Sequence, residues 1–365
     1  MTDEKWAKRP EYTAEPNMRI LIAGNMGYIG PAIARELRSR WPRATLIGLD
    51  TGFFAHCLTT PGPLPELILD EQIFADVRRV TPESLPSCDL VVYLAALSND
   101  VLGSFHEEAT LDINYRSAVR LAALAKRAGA RGFVFASTCS VYGFAEDAPR
   151  DEQSPLDPLT AYARSKVLAE RDLEPLAAES FLVSCLRFGT ACGMSERLRL
   201  DLVLNDFVAA AVASGEIRVM SDGTPWRPLI DVRDMARATA WAVGRRIEDG
   251  GPYLIANVGS PQCNLRVGEL AERVASLTGG TKIVVNRDAA ADRRSYRVDF
   301  SRFQKLAPDD APRVGIEESV AGLVAGLKAI GFNDAAFHHS PYMRIETLRR
   351  LRDSGRLDGD LAWRV

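Results

Sequence analysis

The chain has 365 residues, 47% hydrophobic and 25% charged, with a formal net charge of −3. That profile supports a large folded core and excludes nucleic acid or an anionic membrane surface as the main partner on electrostatic grounds. Six scattered cysteines (57, 88, 139, 185, 192, 263), without CxxC or CxxH spacing, point to reduced thiols in a cytoplasmic protein and away from a zinc site.

The start, MTDEKWAKRPEYTAEPN, lacks a signal-peptide pattern and reads as a flexible extension over residues 1–17. MRILIAG then predicts a strand, GNMGYIG a turn, and PAIARELRSRW a helix with Pro31 in its first turn. ATLIGLD predicts a second strand ending in Asp50, and DLVVYLAAL (89–97) a buried one. DINYRSAVRLAALAKRAG reads as one long helix closed by Gly129, followed by the strand GFVFAS. PLTAYARSKVLAERDLEPLAAE and FLVSCLRF continue as helix and strand. This alternation predicts an α/β fold with a Rossmann-type doubly wound parallel sheet.

After Phe188 the rhythm changes to a loop, the helix LVLNDFVAAAVASG and the short strand IRVM. PLIDVRDMARATAWAVGR is again strand then helix, YLIANVG a strand, and VGELAERVASLTGG and SVAGLVAGLKAI are helices. Residues 18–188 are expected to form a nucleotide domain, with 228–258 partly returning to it. Residues 189–227 and 259–365 are expected to form a smaller mixed α/β substrate domain, with helical cover from 332 onward. His338-His339 has no partner at metal-ligand spacing and reads as surface loop. No metal is expected.

Gly24, Gly27 and Gly30 form GxxGxxG between a predicted strand and helix. Such glycines permit a tight turn, close approach to a pyrophosphate, and helix-on-strand packing, with the helix N-terminus offering N–H groups. Asp50, ending the next strand, can accept from both hydroxyls of an adenosine ribose and would repel a 2′-phosphate, which favours NAD over NADP. Asp76 and Val77 in FADVRR fit the adenine amine and ring face. LAALSND (94–100) would pass beneath the cofactor at the sheet's carboxyl edge.

Tyr162 and Lys166 in AYARSKVLAE lie four apart, hence on one helix face. A phenol of ordinary pKa about 10 becomes a usable acid/base when an ammonium and a nicotinium favour its phenolate. Lys166 can also hydrogen-bond the nicotinamide ribose. Thr138, at the end of FVFASTCSVYG, would hold a substrate hydroxyl against the phenol.

With these motifs assembled, the chain resembles the extended short-chain dehydrogenase/reductases, the NAD-dependent nucleotide-sugar epimerase/dehydratase family. The resemblance runs from Met18 to about Asp299 and rests on GNMGYIG, Asp50, FADV, LAALS, DINYRSAVRLAALA, FASTCSVYG, YARSK and GTPWRPLIDVRDMA. It implies catalysis by Thr138, Tyr162 and Lys166. It implies an NAD site of Gly24, Gly27, Tyr28, Ile29, Gly30, Asp50, Asp76, Val77, Leu94, Ala95, Ala96, Asn114, Tyr162 and Lys166. Ser98, Ser140, Asn205, Arg227 and Arg294 are expected on the substrate side, the two arginines clamping a diphosphate. A homodimer through the helices at 110–128 and 160–179 is also implied, although their apolar stripes fit equally well against their own sheet.

Departures from the family pattern narrow the reaction. Dehydrating relatives carry an Asp-Glu pair immediately after the threonine, and decarboxylating ones a Glu at the second position. Here those positions are Cys139 and Ser140. Relatives that epimerise two centres place a cysteine one residue later. Strand alternation would turn Cys139 away from the side shared by Thr138 and Ser140. The expectation is a nucleotide-sugar 4-epimerase working through a transient 4-keto sugar. The alternatives are a 4-ketosugar reductase or dehydrogenase, a non-catalytic NAD-binding module, and an enzyme for a non-sugar alcohol or ketone.

Overall fold

The strands run, in chain order, β1 (Arg19–Ala23), β2 (Thr45–Asp50), β3 (Glu71–Phe74), β4 (Leu90–Tyr93), β5 (Gly132–Thr138) and β6 (Leu182–Phe188). They continue as β7 (Thr190–Cys192), β8 (Glu216–Val219), β9 (Trp226–Asp231), β10 (Tyr253–Val258), β11 (Asn264–Arg266) and β12 (Lys282–Val285). The computed structural model describes residues 18–59, 62–98, 106–145, 148–286 and 294–364. The expected 1–17 extension and the last two residues of the 94–100 segment lie outside that set.

Seven strands form one parallel sheet in the order β10-β6-β5-β4-β1-β2-β3. The order reverses between β1 and β4, and ligands of such sheets bind beyond the carboxyl ends at that switch point. A second sheet, β11-β9-β7, and a pair, β12-β8, lie outside it. The main helices are α1 (Gly30–Arg40), α2 (Ser117–Arg127), α3 (Ala161–Leu173) and α4 (Val203–Ser214). They are followed by α5 (Val232–Gly244), α6 (Val267–Leu277), α7 (Ile316–Ala329) and α8 (Arg344–Asp353).

Side-chain alternation divides the interior. Ile20, Ile22, Leu46 and Val92 pack in one core with Ile33 and Leu37 of α1 and Met235 and Trp241 of α5. Leu21, Ala23, Ile47 and Val91 face the other way, onto Leu121 and Ala125 of α2 and Ala169 of α3. Strands buried on both faces read as unbroken apolar runs, which is why these were visible in the sequence.

Several expectations change. β9 pairs with β7 and β11 in the second sheet, so the return to the main sheet after 228 begins with α5 and is completed by β10. The expected continuous helix across DINYRSAVRLAALAKRAG is interrupted by a π turn at Asp112–Arg116, preceded by a short helix at Glu107–Leu111. The helix expected over 158–179 spans Ala161–Leu173 and ends in a 3-10 turn at Glu174–Leu176. The edge strand β3 and the three-residue β7 were not expected at all.

Candidate active site

The turn after β1 begins with Gly24 at φ +89°, a conformation that favours glycine, and its carbonyl accepts from Gly27 N–H at 3.2 Å. A β-carbon on Gly24 would stand 2.4 Å from the Ala95 nitrogen, and one on Gly30 only 1.9 Å from the Asn25 carbonyl oxygen. Both glycines are therefore required by close backbone approach, one to the end of β4 and one across the start of α1. Asp50 accepts from Gly52 N–H at 2.8 Å and Met26 N–H at 3.0 Å, which fixes its carboxylate beside this turn. Burial raises the Asp50 carboxyl above its ordinary range, opposed by those two N–H groups.

A slot lined by Gly24, Gly27, Asp50, Phe53, Asp76, Val77, Arg78 and Leu94–Leu97 opens here. It holds Asp50 where an acid is expected in an adenosine site. Asp76 lines it, but its carboxylate already accepts from the Arg78 backbone N–H at 2.8 Å and pairs with the guanidinium at 2.6 Å. The adenine contact expected of Asp76 therefore competes with a resident cation.

The slot meets a cavity of about 1420 Å³. Tyr28, Ile29, Ser98, Thr138, Ser140, Tyr162, Lys166, Arg227 and Arg294 all line it, so segments far apart in sequence converge on one space. α3 is started by Thr160, whose hydroxyl accepts from Ala163 N–H at 3.1 Å, and it carries Tyr162 and Lys166 to the wall. Lys166 is only 1% exposed; its ammonium donates to the Ala136 carbonyl at 2.7 Å and lies 4.5 Å from the Phe135 ring and 5.7 Å from the Tyr162 ring. Burial pushes its pKa down to about 7, against the pull of the Glu170 carboxylate.

Thr138 Oγ1 accepts from Ser140 N–H and donates to Ser140 Oγ, both at 3.1 Å. Tyr296 donates to the same Ser140 Oγ at 3.2 Å, so the Ser140 hydroxyl hydrogen is left to point onward. Cys139 is fully buried and its thiol donates to the Arg187 carbonyl at 3.1 Å, behind the wall. Burial raises that thiol far above the range of a nucleophile. The turn is held from behind by Arg187, which pairs with Glu170 at 2.6 Å and donates to Tyr142 Oη at 3.0 Å.

Two expected contacts are corrected. Asn205 has 0% exposure and is absent from the cavity wall: its carbonyl accepts from Gly193 N–H, and its amide donates to Tyr28 Oη and the Arg199 carbonyl. Its hydrogen bonds are used in joining the glycine turn to the 193–199 segment, so it positions the wall and does not reach substrate. Asn114 is equally buried; it clasps both backbone groups of Leu97 and donates to Ser165, which makes it a support beneath the cofactor segment, not a cofactor contact. Arg227 and Arg294 are brought together, Arg227 donating to the Arg294 and Trp226 carbonyls.

Sequence reasoning missed Arg199, Asp201, Tyr296 and Arg344, all on the cavity wall. Arg199 pairs with Asp201 at 2.9 Å and donates to Ser98 Oγ at 2.7 Å. No motif marks them: in RLRLDL Leu198 and Leu200 are fully buried, but so is Arg197, which pairs with Glu66, and only the fold separates it from Arg199 on the cavity wall. His338 is exposed and pairs with Asp206 at 2.6 Å. Among the described residues no cluster of three or more His, Cys, Asp or Glu could hold a metal, and no helix is long and apolar enough to cross a membrane.

Known proteins resemble this chain in sequence and fold. The chain is 25% identical over 316 residues to UDP-glucuronic acid decarboxylase 3 of Arabidopsis thaliana, covering 84% of this chain and 88% of that one. It is also 25% identical over 332 residues to YtcB of Bacillus subtilis (strain 168), described as an uncharacterized UDP-glucose epimerase, covering 86% and 99%. The solved structure of MoeE5 in complex with UDP-glucose and NAD superposes with a TM-score of 0.72 at 25% identity, covering 85% of this chain and 99% of that one. The sequence model described as the NAD dependent epimerase/dehydratase family matches residues 20–259. With its seven-stranded parallel sheet, its glycine turn and this match across most of the chain, the protein belongs to the NAD-dependent epimerase/dehydratase family.

Proposed function

We propose that the protein is a nucleotide-sugar 4-epimerase that keeps its NAD through the catalytic cycle. The observation that carries this reading is the chemistry at the end of β5. Thr138, Tyr162 and Lys166 line one cavity, while the two positions after Thr138 supply a thiol turned into the protein and a hydroxyl, with no carboxyl group. That equipment supports hydride transfer with one acid/base, and it lacks the side chains for elimination of water.

The residues present fit NAD: the glycine turn admits close backbone approach, Asp50 stands in the adenosine slot, and Lys166 reaches the cavity it opens into. When bound, NAD would supply the acceptor for a hydride from the sugar carbon and, reduced, the donor that returns it. Tyr162 takes the proton of the C4 hydroxyl and, once the sugar has turned its opposite face to the cofactor, gives it back to the C4 oxygen. Lys166, when protonated, favours the phenolate through its positive charge. Thr138 and Ser140 hold the reacting hydroxyl, and Arg227 and Arg294 anchor the diphosphate while the sugar turns. Hydride and proton each leave and return once, so no outside redox partner is needed. We further assign the protein to the cytoplasm, where its six free cysteines stay reduced.

The test is turnover of a panel of UDP- and dTDP-hexoses, read by chromatography of the products together with NADH absorbance. The 4-epimer without accumulation of NADH is expected. Tyr162→Phe should cost about 10²- to 10⁴-fold in kcat while leaving nucleotide-sugar affinity nearly unchanged. Oxidised sugar formed in step with NADH would replace the epimerase with the dehydrogenase reading. A Tyr162→Phe variant as active as the wild type would remove the acid/base assignment.

A further inference from the structure

The tail of the chain, beyond the residues matched by the family model, is built against the cofactor slot. Leu348 and Leu351 of α8, with Leu357 and Leu361, enter the same core as Phe53, Val77 and Ile113. Arg78 donates to the carbonyls of Asp360 at 2.6 Å and Leu361 at 3.2 Å. The Trp363 indole N–H donates to the Thr51 carbonyl at 2.7 Å, and its ring lies 5.7 Å from that of Phe53. Thr51, Phe53 and Arg78 are walls of the adenosine slot, so the tail buttresses that slot from outside.

At the other end of this tail segment, Arg344 opens α8 and lines the large cavity. Its guanidinium lies 4.4 Å from the Phe54 ring, and Phe54 lines both the slot and the cavity, as do Gly24 and Gly27. Arg344 therefore lies on the cavity wall against Phe54, one of the residues the two spaces share, and the shared wall also holds Gly24 and Gly27 of the turn at which a dinucleotide's diphosphate crosses. The side chain is 3% exposed, Nη2 donates to the Arg197 carbonyl at 2.7 Å, and Nη1 has no hydrogen-bond partner among the described residues. Its neighbours are matched differently: Arg197 pairs with Glu66 and Arg199 with Asp201. A buried cation with an unused donor and, among the described residues, no carboxylate hydrogen-bonded to it, only the charge of Asp201 nearby, is costly unless an anion completes it.

We propose that Arg344 is a contact to the diphosphate of NAD, delivered by the C-terminal tail, so that the segment closing the adenosine slot also fastens the charged centre of the cofactor. The proposal rests on the family's use of NAD and is independent of which sugar reaction follows.

Isothermal titration of the cofactor-free full chain with NAD tests it, with UDP titrated into the NAD-loaded protein as the second arm. Arg344→Met keeps the apolar contact with Phe54 and removes the charge; it should weaken NAD binding by about 10- to 100-fold. Arg344→Lys keeps the charge without the fork and should fall between the two. UDP affinity should change by less than about threefold in both. Unchanged NAD affinity, or a loss confined to the UDP arm, would overturn the assignment, the latter making Arg344 a substrate contact. Cofactor-free Arg344→Met that no longer unfolds cooperatively would make the residue a strut of the fold and equally end the proposal.

Discussion

Lys166 is an ammonium buried beside the Phe135 ring, and its titration is expressed in stability. Its pKa falls from an ordinary 10.5 to about 7 on burial. Between those values the unfolded chain holds a proton that the folded chain has released, so raising the pH favours the folded state. The cofactor-free protein should gain stability from about pH 7 to about pH 10 from this group, with a slope approaching 1.4 kcal/mol per pH unit, a value of about that order for one proton. Lys166→Met should flatten the slope, as read by urea unfolding at a series of pH values; identical slopes in the two proteins would contradict the assignment. Tyr162 and Lys166 were legible in the sequence because helix geometry alone puts residues four apart on one face. Asn205 was misread because an asparagine in the first turn of a helix looks the same in sequence whether it faces a cavity or ties two loops together. Arg344 was invisible, since no motif surrounds it and only the folded tail brings it to the cavity wall beside Phe54.

At the scale of elements, the N-cap of α3 links local folding to the site. Thr160 satisfies one of the free N–H groups of the helix that carries Tyr162 and Lys166. Thr160→Ala should lower stability by about 1 kcal/mol, seen as a lower denaturant midpoint, with NAD affinity retained because the helix face that lines the cavity is untouched. A loss of NAD affinity as large as that expected for Arg344→Met would mean instead that the cap sets the register of the site. The π turn at Asp112–Arg116 shows where periodicity misleads. The segment has the apolar spacing of a continuous helix, yet the widened turn sets Asn114 against Leu97, beneath the cofactor segment. β3 escaped detection for a different reason. It is an edge strand with no fully buried residue, so it carries neither an unbroken apolar run nor clean alternation.

For the whole molecule, the doubly wound sheet was readable because each βα unit announces itself, whereas the assignment of β9 to the second sheet depends on pairing between distant segments. Apolar stripes on α2 and α3 are spent on their own sheet: Leu121, Ala122, Ala125, Ala169 and Leu173 are all buried within one chain. Leu168 is only partly covered, as is Val119, which packs against the edge of the same core, and near them lie ion pairs such as Arg164–Glu107 and Arg116–Asp112. We propose a homodimer through these two helices, and light scattering should return twice the 40.0 kDa chain mass. A monomeric mass at micromolar concentration would remove it. The anchoring of Trp363 to the Thr51 carbonyl has a practical corollary. A fluorescent label attached at position 363 would replace a hydrogen bond to Thr51 and a ring contact with Phe53, both of which line the slot, and so would disturb the occupancy it was meant to report.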